Sequence, residues 1–159
     1  MAKEPGEEEF AYARVLHRLN PLIRGLLESP LHGLLSRQLM VVSYDGRKTG
    51  RRVRFPTGYT VVGGEVVVLI SHRAGRSWWR NFREPWPATL RIRGVERSVL
   101  GVAPEPGSEA FTRCFEETFR AQPGVAGIFA TEFAPESGLT EPQAAALART
   151  RGAVRFSPA

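Results

Sequence analysis

The sequence predicts a small antiparallel β-barrel of the α+β class, and three features carry that expectation. Five or six short segments are β-branched throughout or alternate apolar with polar residues. Turn signals separate them: Asp45-Gly46, Gly63-Gly64 and Gly94. The flanking segments switch to the three- and four-residue apolar spacing of helices. Strands joined by hairpins and flanked by helices argue a closed or nearly closed sheet.

The chain has 159 residues, enough for one domain with one hydrophobic core. We divide it into an N-terminal helical segment, 1–37, and a barrel domain, 38–159. In residues 7–28 Phe10, Val15, Leu16, Leu19, Leu22, Ile23, Leu26 and Leu27 form an apolar stripe behind an acidic opening run. Pro21 breaks or kinks that helix, and Ser29-Pro30 opens a second short one over 30–37. The stripe suits packing on the barrel; with Arg14, Arg18, Arg24 and Arg37 it also suits peripheral contact with an anionic membrane.

Residues 38–44 (QLMVVSY) read as the first strand, and 53–62 run extended again after the Asp45-Gly46 turn. Gly63-Gly64 makes a two-residue hairpin into 65–71 (EVVVLIS). A loop and short helix carry 72–84; 88–93 and 96–103 then pair around Gly94. Ser108 caps a helix over 109–121 whose buried stripe is Phe111, Cys114, Phe115, Thr118 and Phe119. Residues 123–141 show no local preference, 142–149 read as a short helix, and 153–156 as a last strand.

Composition narrows the function. The 42% hydrophobic and 24% charged fractions are those of a folded globular protein. A single cysteine, Cys114, excludes an internal disulfide and suits a reducing, cytoplasmic setting. No secretory signal is expected, because the first residues are acidic and no long apolar run follows them. The net charge of +6 asks for an anionic partner, and the charge is clustered. Arg47, Lys48, Arg51, Arg52 and Arg54 form one group; Arg73, Arg76, Arg80 and Arg83 form another.

Several chemistries find no motif. There is no glycine-rich dinucleotide or phosphate-loop signature and no nucleophile elbow. His17, His32 and His72 lack metal-ligand spacing, so no metal site is expected. Cys114, inside the apolar stripe, reads as an inert core thiol. Two segments do carry a signal. In Gly46-Arg47-Lys48-Thr49-Gly50, two glycines bracket two cations and a hydroxyl, which suits an anion; the plain alternative is a solubilising turn. In Ser77-Trp78-Trp79-Arg80-Asn81-Phe82, neighbouring tryptophans on a helix lie about 100° apart. One therefore packs on the barrel while the other lines a cleft, unless the segment is only a core plug.

In order, Ser29-Pro30-Leu31-His32, Gly46 to Gly50, Phe55-Pro56-Thr57-Gly58-Tyr59, Val66 to Ser71 and Trp78-Trp79-Arg80-Asn81-Phe82 resemble the deazaflavin-dependent nitroreductase family. That family belongs to the flavin-binding split β-barrel superfamily, which includes flavin-reductase and pyridoxamine-phosphate-oxidase-like folds. The resemblance spans roughly residues 29–94 and implies a split barrel of about six antiparallel strands with flanking helices. It implies coenzyme F420, a deazaflavin with a phosphate and a polyglutamate tail, or flavin mononucleotide as the alternative cofactor.

By position, the resemblance assigns Arg47, Lys48 and Thr49 to the cofactor phosphate. Arg54, Phe55, Pro56 and Thr57 fall on the wall beside the ring, with Leu69, Ile70, Ser71 and His72 at the strand end. Arg76, Ser77, Trp78, Trp79 and Asn81 close the pocket, with Arg54 and Arg76 facing the acidic tail. Val53 stands where the family often has a basic residue, and His72 where it has a lysine. The C-terminal tyrosines of the nitro-reducing members have no counterpart, since the last tyrosine is Tyr59.

The implied activity is hydride transfer from reduced F420 to a small electron-poor acceptor: a quinone, nitro compound or activated alkene. No side chain is expected to act as a covalent catalyst. The superfamily's cofactor placement implies a homodimer. A non-catalytic flavin or deazaflavin carrier is the second reading, and charge-driven nucleic-acid binding, ranked last, is not expected.

Overall fold

In the computed structural model of the chain, the described residues are 39–159. The expected helices over 7–28 and 30–37, and the membrane contact built on them, lie outside those residues. Seven strands are present: β1 (Leu39–Asp45), β2 (Arg52–Gly58), β3 (Thr60–Val62), β4 (Glu65–Ile70), β5 (Trp86–Ile92), β6 (Val95–Val102) and β7 (Gly152–Pro158). A 3₁₀ turn spans Trp78–Phe82, and three helices, α1 (Glu109–Ala121), α2 (Gly124–Ile128) and α3 (Glu141–Thr150), follow β6.

All strands pair antiparallel in the order β2-β1-β5-β6-β7-β4-β3. This order corrects two expectations. Residues 53–62 are two strands, and the pairing is not a run of consecutive hairpins, because β1 pairs with β5 and β4 with β7. The order also dictates curvature. β2 and β3 lie at opposite edges of the sheet, yet only Tyr59 separates them in sequence. One residue spans at most about 3.6 Å, so the sheet must curl until its edges meet. The result is a half-open barrel, split between β2 and β3.

Local chemistry explains the turns. Gly63 and Gly64 hold φ of 57° and 84°, the left-handed pair that a two-residue hairpin needs. Arg93-Gly94 repeats the device with φ of 50° and 77°, at a strain cost for the arginine. Ser108 accepts from the Phe111 amide at the start of α1, as expected of a cap. Thr140 and Gln143 form a reciprocal capping box at α3.

Two cores result. Inside the barrel, Met40, Val42, Tyr44, Val66, Val68, Ile70, Phe82, Leu90, Val154 and Phe156 pack together. Outside it, Val67, Leu69 and Ala153 carry the helical layer, centred on Phe111, Phe115, Phe119 and Phe129. Each buried phenylalanine contributes about 1.5–3 kcal/mol relative to exposure, so α1 is fastened mainly by its apolar stripe. An ion cluster closes this layer: Arg155 on β7 pairs with Glu65 of β4 and Glu117 of α1. Among the described residues, no helix is long and apolar enough to cross a membrane, and no cluster of three metal-ligating side chains occurs.

Candidate functional site

The turn between β1 and β2 is built by its glycines. The Gly46 amide donates to the Arg51 carbonyl, the Gly50 amide donates to Gly46, and Gly50 takes φ of 66°. Arg52 pairs with Asp45 at 3.2 Å, so the one acid beside the turn is already matched.

The turn is pinned to the 3₁₀ segment. The Arg47 amide donates to Asn81 Oδ1 at 2.7 Å, and its Nε donates to the Asn81 carbonyl at 3.3 Å. Its Nη2 reaches the Glu84 carbonyl at 2.7 Å, and the guanidinium lies 4.6 Å from the Trp86 ring centroid. Trp86 in turn donates from Nε1 to the Asp45 carbonyl at 2.7 Å. Arg47, assigned by resemblance to a phosphate, thus spends its side chain holding the turn. Lys48 is exposed, and its ammonium, with the Lys48 and Thr49 amides, has no hydrogen-bond partner among the described residues.

Strand alternation divides the expected wall. Phe55 sits on the barrel side, half-buried, its ring centroid 4.8 Å from that of Trp78. Arg54 and Pro56 point the other way, paired across β1 with Ser43 and Val41. Trp78 also packs edge-on against Phe82, which does the same with Tyr44 at 5.0 Å. Burial raises the Tyr44 phenol above its ordinary value, so it stays protonated across the neutral range. Asn81 Nδ2 is buried without a partner, one of few such atoms among the described residues.

The two tryptophans share the barrel core but differ in their other contacts. Trp78 and Asn81 serve the Phe55 wall and the 46–50 turn. Trp79 is buried in the barrel core that Trp78 also packs against, its Nε1 donating to the Arg73 and Arg76 carbonyls at 3.1 and 2.8 Å. With His72 it lines a cleft of about 280 Å³. Arg76 and Ser77 are exposed between the two faces.

Leu69 packs under the helical layer and Ile70 in the barrel interior, so both are core side chains. The Ser71 carbonyl accepts from Arg151, and the Thr57 hydroxyl donates to the Gly58 carbonyl at 3.4 Å. The structure therefore gathers Lys48, Thr49, Phe55, Trp78 and Asn81 in one place. It sets Trp79 and His72 in another. Tyr44 and Trp86 were missed; the proline-flanked Trp86 was the only local hint, since its role depends on pairing with the end of β1.

The arrangement can hold a planar group with an anionic arm. The turn offers an unpaired cation and two amides and the wall offers two aromatic faces, while Asn81 Nδ2 is closed off from solvent.

The sequence matches no protein-family model and no curated protein. Solved structures do match. An F420-H2-dependent reductase superposes with a TM-score of 0.51 at 14% identity, over 76% of this chain and 95% of the other. A chain described as a domain-swapped dimer superposes with a TM-score of 0.52 at 14% identity, over 94% of this chain and 99% of the other. The split-barrel architecture is thus shared with a deazaflavin-dependent reductase, as the motif order implies.

Proposed function

We propose that this chain is a deazaflavin-dependent oxidoreductase that binds reduced coenzyme F420 and passes a hydride to a small electron-poor acceptor. One observation supports the reading furthest. The Arg47–Asn81 bond joins the basic turn to the aromatic wall, so that one ligand can engage both. When bound, a reduced deazaflavin supplies the hydride.

The protein's part is placement. The Lys48 ammonium and the Lys48 and Thr49 amides would hold the phosphate, while Arg47 keeps the turn in shape. Phe55 and Trp78 would pack on the ring edge and exclude water, and Asn81 would keep the turn against that wall through the bond it accepts from the Arg47 amide. Exposed Arg76 would meet the acidic tail, whereas Arg54 faces away from the wall. We take the working assembly as a homodimer, for which the domain-swapped neighbour is the supporting precedent; sedimentation tests it.

Oxidation of reduced F420, followed by recovery of its visible absorbance, tests the activity with a quinone, a nitroarene and an activated alkene in turn. Turnover with any of them supports an oxidoreductase. Tight binding without oxidation selects the carrier reading, and preference for flavin mononucleotide moves the protein to the flavin branch.

A further inference from the structure

We propose that the cleft between residues 72–83 and the C-terminal end of α3 binds a compact anion bearing two or more phosphate or carboxylate charges. The inference does not rest on the deazaflavin reading. It concerns the side of the 3₁₀ turn away from Trp78 and Asn81, and Arg73, Arg80, Arg83 and Arg149, to which the resemblance assigns no position; His72 and Trp79, which it does assign to the cofactor, line the same cleft.

The cleft holds about 280 Å³, and Arg73, Arg80, Arg83 and Arg149 line it together with Trp79 and no acidic residue. Arg73 is structural. Its Nη1 donates to the Ala148 and Arg151 carbonyls at 3.0 and 2.7 Å, and its Nη2 to Arg149 at 3.2 Å. It thereby satisfies the carbonyls that end α3. Arg80 and Arg83 lie over the Trp79 ring, their guanidinium carbons 5.8 and 5.1 Å from its centroid. Cation–π attraction holds both in position. Arg80, Arg83 and Arg149 make no ion pair among the described residues. Three arginines thus line one concavity with no acidic partner among the described residues.

The chemistry of the ligand follows from this. Guanidinium forks match phosphate and carboxylate oxygens two at a time, and three cations favour more than one anionic group. The volume falls just below the usual range for ligand sites, about 300–1,000 Å³, which suits a compact anion. A nucleic-acid strand is disfavoured because the Trp79 ring is only 8% exposed and offers no face for base stacking.

Calorimetric titration with inorganic pyrophosphate, and separately with citrate, tests the assignment and tells phosphate from carboxylate preference. Saturable one-to-one binding of either is expected. Arg83→Gln and Arg149→Gln should each weaken it about tenfold, the worth of one charge-assisted bond pair. Arg97→Gln, an exposed arginine on β6, should leave it unchanged. Arg80 and Arg83, not Arg149, lie over the Trp79 ring, so Arg149→Gln keeps the test sound if Arg83→Gln disturbs packing. No binding of either anion, or equal weakening by Arg97→Gln, would overturn the proposal. Failure to bind F420 with pyrophosphate binding intact would leave it standing.

Discussion

The Arg47 amide donates to the Asn81 side-chain oxygen at 2.7 Å, although 34 positions separate the two residues. The bond fixes the β1–β2 turn against the 3₁₀ segment, and Arg47's own guanidinium repeats the connection through the Asn81 and Glu84 carbonyls. The turn is therefore shaped before any ligand arrives, which lowers the ordering cost of binding.

Asn81→Leu removes the acceptor for that amide and the unpaired Nδ2 donor together. It should lower stability by about 1 kcal/mol, read from the urea midpoint, and weaken F420 binding by an order of magnitude. Asn81→Asp retains the acceptor for the Arg47 amide, so stability and affinity should return together.

Gly101 carries a packing constraint. A Cβ there would lie 2.5 Å from Phe82 Cδ1 and 2.8 Å from Phe156 Cε1, and both rings are fully buried. Gly101→Ala should cost about 1–3 kcal/mol through forced ring displacement. A thermal midpoint equal to that of the parent chain would contradict this packing.

The Arg155 cluster predicts an acid-sensitive outer layer. Hydrogen bonds from Ser157 and Arg155 hold the Glu65 carboxyl below its ordinary value. A depressed carboxylate stabilises the fold fully above its unfolded pKa of about 4.3, and that share is lost as pH falls through the lower folded value. Glu65→Gln should flatten the acid limb of the stability profile and cost about 1 kcal/mol at neutral pH. An unchanged acid limb would show that other carboxylates govern it.

Cys114 is buried in the α1 stripe, and desolvation raises its thiol above the ordinary value. Labelling by a thiol reagent should be slow in the native protein and complete on unfolding. Fast native labelling would mean that α1 opens readily.

Much of this fold was legible because its signals are local. The Ser108 cap, the Gly63-Gly64 hairpin and the α1 stripe each depend on residues within a few positions of one another. The break at Tyr59 was not legible, since 53–62 read as one extended run and only the edge-to-edge curl divides it. The same holds for the site. The tryptophans were expected to divide between barrel and cleft, yet Trp79 does both while Trp78 packs on the same core, and strand alternation placed Arg54 and Pro56 away from Phe55. The arginine cleft joins residues 73–83 to Arg149, which no local pattern connects.

The central claim is that the 46–50 turn and the Phe55–Trp78 wall together hold a tailed deazaflavin. Fluorescence titration with F420 and with flavin mononucleotide, on the parent chain and on Lys48→Ala, tests it most directly. The account predicts saturable F420 binding, tighter than that of flavin mononucleotide, that weakens about tenfold when Lys48 is removed. Failure of F420 to bind, or F420 binding indifferent to Lys48, would contradict it.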